Sequence, residues 1–291
     1  MISINTNNGG LFAAKAASQS QATIDSAMQR LSTGSRINNA KDDAAGQAIA
    51  TRLTAEIQGL EIASRNVADG QSLVDTAEGA LQETHTLLLR MREIGVQAAN
   101  GTLSTSDNEA LDAEFQQLVK EIDRIAQNTT WAGAALLNGD AAGAEDSTAT
   151  FSFQAGVGNN SGADVFSVTV KNADSTTLDV FVANSSDATV NDVNLLSQSS
   201  AGSAITAVDA AIATVSSERA NLGAVSNRMA STMANLDQIR VNLTASKGRI
   251  ADADFAAETA NLAKGQILQQ AATAMLAQAN ASKQQVLTLI R

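Results

Sequence analysis

The chain has 291 residues and a formal net charge of −11, which opposes attraction to nucleic-acid phosphates and to anionic lipid surfaces. It contains no cysteine and one histidine, His85. Disulfides, thiolate nucleophiles and cysteine-based zinc sites are therefore excluded, as are multi-histidine metal sites and most nucleophile–histidine–acid triads. The composition does not exclude catalysis by carboxylate or lysine side chains. We expect a protein that is not an enzyme and has no cofactor, metal, nucleic-acid or membrane partner.

The first arm, at about residues 5–33, repeats small and apolar residues in steps of three and four, which predicts an amphipathic helix. Its candidate contact positions are Ala14, Ile24, Met28 and Leu31. The run Thr33-Gly34-Ser35 then predicts a helix stop and a connector. Because the N-terminus has neither a positive segment nor an apolar one, we expect no cleaved secretory signal.

Two longer segments, at about 43–100 and 199–243, carry apolar residues every seven positions. Such a series forms a continuous stripe along one helix face, and a second helix has to cover it. The two stripes are therefore expected to pack against each other as a long antiparallel coiled-coil rod that brings both chain ends together. The first comprises Leu53, Leu60, Val67, Val74, Leu81 and Leu88, and the second Val208, Val215, Leu222, Met229, Leu236 and Leu243.

Between the two stripes, the sequence predicts one more helix and a small sheet. Ser106 and Glu109 fit a capping box at the start of the helix. From about residue 138 the chain becomes rich in Gly, Ser, Asn, Asp and Thr, and the apolar period shifts toward two. Residues 149–154, 164–171 and 177–183 are strand candidates, which favours an antiparallel hairpin or meander.

The sequence predicts a final helical arm after the second stripe. Residues 246–249 are predicted to break the second stripe, and a final helix is predicted at about 254–290. Its contact positions are Leu268, Met275, Ala279, Val286 and Leu289. This arm is apolar on more than one side, which a simple helix pair does not require. Identical subunits stacked helically would cover the excess surface; an intramolecular coiled coil with frayed ends is the alternative.

The fold class that follows is mainly α, with a small β-rich central insertion. We divide the chain into five segments. They are an inner-core arm with its connector (1–42), rod helices (43–140), a variable outward-facing β-rich segment (141–196), a second rod helix (197–248) and a C-terminal inner-core arm (249–291).

Several stretches closely resemble bacterial flagellin, the subunit of the flagellar filament. They are QRLSTGSRIN at 29–38, AKDDAAGQAIA at 40–50, ASRN at 63–66, GQILQQA at 265–271 and LAQAN at 276–280. The resemblance covers about residues 1–140 and 197–291 and leaves the middle without a match. It implies a subunit that is exported unfolded through the flagellar type III apparatus and self-assembles into an extracellular filament for swimming motility. It also implies a cap protein, a hook–filament junction protein and a dedicated export chaperone as partners.

One further surface is implied by the resemblance. Residues 90–97, RMREIGVQ, are similar to the flagellin stretch that a Toll-like receptor of innate immunity engages. Arg90, Arg92, Glu93, Ile94 and Glu114 are the candidate receptor-binding residues. Leu89, Ile94 and Gly95 depart from the commoner residues, and a subunit–subunit contact is the alternative for this surface.

Two other identities remain open from the sequence. A hook–filament junction protein shares the terminal arms, although the complete C-terminal match disfavours it. A secreted coiled-coil adhesin would use the same arms on host surfaces and would form no filament.

Overall fold

The computed structural model describes residues 6–138, 148–158, 160, 162, 164–180 and 193–289, with side chains up to residue 282. These residues form two compact units, which we call the terminal unit (Met1–Ile57 with Val241–Arg291) and the central unit (Gln58–Arg240). The elements in chain order are α1 (Asn8–Thr33), α2 (Ala44–Ala98), α3 (Thr105–Asn128), β1 (Thr130–Trp131), β2 (Ala134–Ala135), β3 (Thr148–Gln154), β4 (Val165–Lys171), α4 (Gln198–Ala251) and α5 (Phe255–Leu289).

Local chemistry sets the ends of the helices in the terminal unit. The side chain of Asn7 accepts a hydrogen bond of 3.0 Å from the Gly10 amide and so caps α1. Gly34 ends that helix with a φ of 69°, a left-handed conformation that a residue without Cβ adopts at little energetic cost. Asp43 caps α2 through the Gly46 amide, and Asp254 caps α5.

α1 and α5 pack as a close antiparallel pair. Contacts that move forward along α1 move backward along α5, from Asn7 with Ala279, to Ile24 with Gly265, to Arg30 with Glu258. A Cβ added to Gly265 would lie 2.8 Å from Cγ1 of Ile24, so the two backbones approach as far as a missing side chain allows. The buried positions Ala13, Ser20, Ala27 and Ala272 are small for the same reason.

A short backbone bridge joins the chain after α1 to the chain before α5. The Arg36 amide donates to the Ala251 carbonyl at 2.7 Å, and the Ala253 amide donates to the Gly34 carbonyl at 3.0 Å. Ser35 and Asp252 form the antiparallel bridge between these two bonds. The register of α1 against α5 is therefore fixed at one end by main-chain hydrogen bonds.

In the central unit, α2 and α4 run antiparallel. Arg219 pairs with Glu78 at 2.7 Å, while further along α2 Arg92 pairs with Asp209 at 2.6 Å. The third helix of this unit, α3, has one buried face, formed by Phe115, Val119, Ile122 and Ala126. Its carboxylates also hold the irregular chain, because Asp123 accepts from the Ser175 amide and Asp112 from the Leu195 amide, both at 2.8 Å.

The sheet of the central unit is an antiparallel hairpin of β3 and β4. It pairs Thr148 with Lys171 at one end and Gln154 with Val165 at the other. Burial alternates along β4 with Phe166, Val168 and Val170 inside, as expected for a strand with one covered face. β1 and β2 form a second, very short hairpin that we did not predict, closed by positive φ angles at Ala132 and Gly133.

The predicted fold class is confirmed: the described chain is mainly helical, with long helices from both chain ends and a small antiparallel sheet between them. The strands predicted at 149–154 and 164–171 are confirmed to within one residue.

Three local predictions are wrong. The capping box of α3 uses Ser104 with Asp107, two residues earlier than predicted. Residues 246–249 do not break α4, which continues to Ala251, since one glycine costs a packed helix only about 1 kcal/mol. Residues 177–180 form a turn instead of a strand, with Asp179 at a φ of 55° and the Val180 amide bonded to the Ser175 carbonyl. The remainder of that candidate, 181–183, lies outside the described residues.

Candidate assembly surfaces

A groove of about 700 Å³ runs between α1 and α5 in the terminal unit. Phe12, Leu268 and Met275 line it and remain 75%, 48% and 65% exposed. Between them lie the small buried residues Ala13 and Ala272. Large apolar side chains that a folded chain leaves in water at one place mark a surface that another molecule covers. We call this surface the apolar groove.

Other apolar side chains of the same helix pair lie outside the apolar groove. Leu11 and Ile267 are both exposed, and each directly neighbours a groove residue in sequence. Because successive residues of an α-helix are about 100° apart, these side chains leave the helices in a different direction from Phe12 and Leu268. The helix pair therefore exposes apolar surface on more than one face.

The predicted contact residues of the two arms have different environments. Ile24 is buried against α5, while Leu31 and Ala279 are half-buried. Ala14, Met28, Leu268 and Met275 are exposed. The side chains of Val286 and Leu289 lie outside the described residues. The pattern therefore mixes residues that close the helix pair with residues that the pair leaves uncovered.

A charged contact in this unit was not predicted. Nη1 of Arg30 lies 2.7 Å from Oε1 of Glu258, and Oε2 of Glu258 also accepts a hydrogen bond of 3.1 Å from the side-chain Nδ2 of Asn261. The hydrogen bond from Arg30, followed by that from Asn261, holds the pKa of the Glu258 carboxyl below its usual value. Two residues 228 positions apart gave no sequence signal of their contact. Phe12 was also missed, because it falls outside the heptad steps of its arm.

The predicted rod-packing residues mostly lie inside the central unit. Ten of them are buried, namely Leu60, Val67, Val74, Leu81, Leu88, Val208, Val215, Leu222, Met229 and Leu236. Leu53 and Leu243 are half-buried and belong to the terminal unit. The seven-residue spacing thus selects interior positions over most of both helices.

The predicted receptor-binding residues separate into an exposed group and a buried one. Arg90 lies between two carboxylates, with Glu114 at 2.7 Å and Glu93 at 3.1 Å, and all three side chains are exposed. Both hydrogen bonds, the one from Glu114 first, raise the pKa of Arg90 above its usual value. Arg92 is exposed and pairs with Asp209. Ile94 is 1% exposed, so it cannot contact a partner on this surface and we withdraw it as a candidate.

Within the described ranges, no group of three or more His, Cys, Asp or Glu side chains is arranged to hold a metal ion. No helix in the same part of the chain has an apolar stretch long enough to cross a bilayer.

Comparison with known proteins gives the family. Residues 4–142 match the bacterial flagellin N-terminal helical region, and residues 205–290 match the bacterial flagellin C-terminal helical region. A flagellin of Halalkalibacterium halodurans is 44% identical over 265 residues, which cover 91% of each chain. A flagellin of Bacillus subtilis is 41% identical over 305 residues, with 99% of each chain covered.

A solved structure, described as a putative flagellar hook-associated protein from Vibrio parahaemolyticus, matches 72% of this chain and 100% of its own with a TM-score of 0.57. At 14% identity it shows a shared fold alone. The two regional matches and the near-full-length relatives lead to one conclusion: the chain belongs to the bacterial flagellin family and is a structural subunit of the flagellar filament.

Proposed function

We propose that copies of this chain assemble into the filament through the terminal unit, with a second copy covering the apolar groove. The observation that carries this proposal is the exposure of Phe12, Leu268 and Met275 along one side of a helix pair. Burying one such side chain fully contributes about 1.5–3 kcal/mol, so the three together provide a substantial driving force for association. A second copy is the occupant that fits membership of a filament-forming family.

The positions of the apolar residues also favour an open polymer over a closed dimer. The groove is on one side of the helix pair, whereas Leu11 and Ile267 project in other directions. When the groove of one copy covers a different face of the next, the contact is heterologous and each added copy offers a fresh groove. Such contacts propagate into a helical filament unless the rotation happens to close a ring.

The test places a charge in the groove. Leu268→Asp is compared with Ser167→Asp, which adds the same charge at an exposed position of β4 in the central unit. We expect Leu268→Asp to raise the critical concentration for assembly at least about tenfold, because about 1.4 kcal/mol already corresponds to that factor. Sedimentation and electron microscopy measure assembly, and circular dichroism checks that both variants keep their helices.

Two results would contradict the proposal. One is assembly of Leu268→Asp at the same concentration as the unmodified chain. The other is equal loss of assembly in both variants, since a general charge effect would then replace the groove. A chain lacking residues 254–291 provides an independent measurement, because it removes α5 and with it one wall of the groove.

We further propose that the subunit reaches the outside of the cell as an unfolded chain and that its role there is structural, without a catalytic step. The absence of cysteine supports the first part, because no disulfide has to form or be reduced on the way. The cap protein, junction protein and export chaperone remain predictions from the resemblance. The division of the chain into five segments, with boundaries after residues 42, 140, 196 and 248, also remains a prediction.

Recognition by a Toll-like receptor is a second proposed role. The exposed group of Arg90, Arg92, Glu93 and Glu114 supports it, because these charged side chains lie at the surface, where a partner can contact them, and Arg is enriched at protein interfaces. Arg90→Ala should weaken activation of a receptor-expressing reporter cell. A response equal to that of the unmodified chain would exclude Arg90 from the contact.

The two alternative identities are separated from a filament subunit by assembly itself. A secreted adhesin predicts a stable monomer or small oligomer under conditions where flagellins polymerise. A junction protein predicts addition to existing hooks or filaments without unlimited growth.

A further inference from the structure

The sulfur atoms of this chain fall into an exposed group and a buried group. The sequence contains six methionines and no cysteine. In the terminal unit, Met28 is 56% exposed and Met275 is 65% exposed. In the central unit, both Met91 and Met229 are 0% exposed. Met233 is half-buried, and Met1 lies outside the described residues.

Access to solvent decides which of these thioethers reacts with a peroxide. In the reaction, the methionine sulfur attacks one peroxide oxygen, the O–O bond breaks, and the second oxygen leaves and is protonated to water. The sulfur is oxidised to a sulfoxide and the peroxide is reduced, so hydrogen peroxide is the only co-reactant required. With no cysteine thiolate competing for the oxidant, exposed methionines become the reactive sulfurs of the chain.

Both exposed sulfurs belong to the terminal unit, through which the chain is proposed to assemble. Met275 lines the apolar groove beside Leu268 and Ala272. Met28 is exposed on α1, outside the residues that line that groove. A sulfoxide is a strongly polar acceptor, and enclosing it among apolar side chains without a hydrogen-bond donor is unfavourable. Oxidation would therefore weaken assembly without disturbing the interior of the central unit.

We propose that Met28 and Met275 are peroxide-sensitive modification sites that control incorporation of the subunit. Oxidation of the free chain by hydrogen peroxide converts both to sulfoxides and blocks assembly, and assembly in turn shields both sulfurs from oxidation. Methionine sulfoxide is reducible by methionine sulfoxide reductases, so the block is reversible. This inference rests on the proposed function, because it assumes that the terminal unit provides the assembly surface.

The experiment compares four samples of the full chain: unassembled or assembled, each with and without hydrogen peroxide. Peptide mass spectrometry measures the added oxygen at each methionine, and sedimentation measures assembly of the unassembled samples afterwards. In the free chain, Met28 and Met275 should oxidise on the order of tenfold faster than Met91 and Met229, which serve as internal controls. The treated chain should assemble at a critical concentration raised about tenfold or more and should recover after treatment with the reductases.

A variant carrying both Met28→Leu and Met275→Leu separates oxidation of these two sulfurs from other damage. Its treated sample is compared with its own untreated sample, and the two should assemble alike. The inference is overturned if the treated natural chain carries sulfoxides at both sites and assembles normally. It is also overturned if the double variant loses assembly on treatment as the natural chain does.

The experiment distinguishes failure of this inference from failure of the proposed function. If the untreated chain assembles, and oxidation at Met28 and Met275 leaves its critical concentration unchanged, the present inference alone is wrong. If the untreated Leu268→Asp variant assembles normally, the groove is not an assembly surface and both proposals fall.

Discussion

Two glycines of α2 provide a matched test of how tightly the hairpin packs in the central unit. Gly70 and Gly79 lie on the same helix, and replacing either by alanine should gain about 0.5–1 kcal/mol of helix stability. At Gly79 an added Cβ would have no neighbouring atom within 4 Å. At Gly70 it would lie 3.0 Å from Cε of Met229 and 3.0 and 3.2 Å from two ring carbons of Phe153.

These distances predict different effects of the two substitutions on the free energy of unfolding. Carbon atoms pack best at about 3.5–4.0 Å, so alanine at position 70 would require the Phe153 ring and the buried Met229 side chain to move by a few tenths of an ångström. Overpacking of this kind costs about 1–3 kcal/mol. We expect Gly79→Ala to be more stable than the unmodified chain by about 0.5–1 kcal/mol, and Gly70→Ala to be unchanged or less stable by up to about 2 kcal/mol.

Urea unfolding followed by circular dichroism measures both variants, and the midpoints are comparable if the slopes agree. The tryptophan fluorescence of Trp131 reports on the central unit separately, since this chain has a single tryptophan. Equal stabilisation by the two substitutions would refute the reasoning, because it would mean that the hairpin does not hold Phe153 against Gly70. A destabilised Gly79→Ala would contradict the open space at that position.

Three further predictions test local features. Ser104→Ala should cost α3 about 1 kcal/mol in the same urea assay, because the Asp107 amide loses its cap, and Ser104→Asn should cost less. Gly34→Ala should lower the free energy of unfolding by about 1–2 kcal/mol, because alanine would have to adopt a left-handed φ there. An added Cβ would have no neighbouring atom within 4 Å, so the cost would come from the backbone alone. Gly34→Asn is the control, since asparagine tolerates that region better. The lowered pKa of Glu258 predicts that the stabilisation from its pairing with Arg30 is complete above the usual carboxyl pKa of about 4.3 and is lost as the pH falls through the lowered folded value. Glu258→Gln should reduce this dependence of the thermal midpoint on pH. If the variant shows the same dependence as the unmodified chain, another group is responsible for it.

The heptad stripes were predictable because they obey a simple physical rule. A helix of more than fifty residues contains many seven-residue repeats, and Leu, Val and Met at those positions form an apolar stripe that is stable only when it is buried. The pattern therefore located the buried positions from Leu60 to Leu88 without any knowledge of the partner helix. β3 and β4 were equally visible, since Phe and Val alternate with Ser and Thr along them.

The pairing of α1 with α5 was harder to predict. Apart from Ile24 and Glu258, its buried residues are Ala, Gly and Ser, whose small volume allows close approach but hardly distinguishes one helix face from another. Heptad steps alone therefore grouped Ile24, which is buried, with Met28 and Met275, which are exposed. The contacts that fix the register, among them Arg30 with Glu258, join residues from opposite ends of the chain and have no local pattern.

Helix ends were missed where two candidate caps competed. Ser104 and Ser106 both precede an acidic residue by three positions, so the spacing fits either serine, and the capping box forms at Ser104 with Asp107. At residues 246–249, Gly248 favoured a break, but α4 continues past it to Ala251, directly before the bridge between Ser35 and Asp252.

The antiparallel pairing of the two terminal helices has a consequence for the order of folding. The hydrogen bond between Asn7 and Ala279 joins residues 272 positions apart. Closing a flexible loop of that length costs roughly 5 kcal/mol in chain entropy, and prior pairing of α2 with α4 would shorten the loop that remains. Among the described elements, α1 packs against α5, which follows α2, α3 and α4 in the chain. The terminal unit is therefore expected to fold after the central unit.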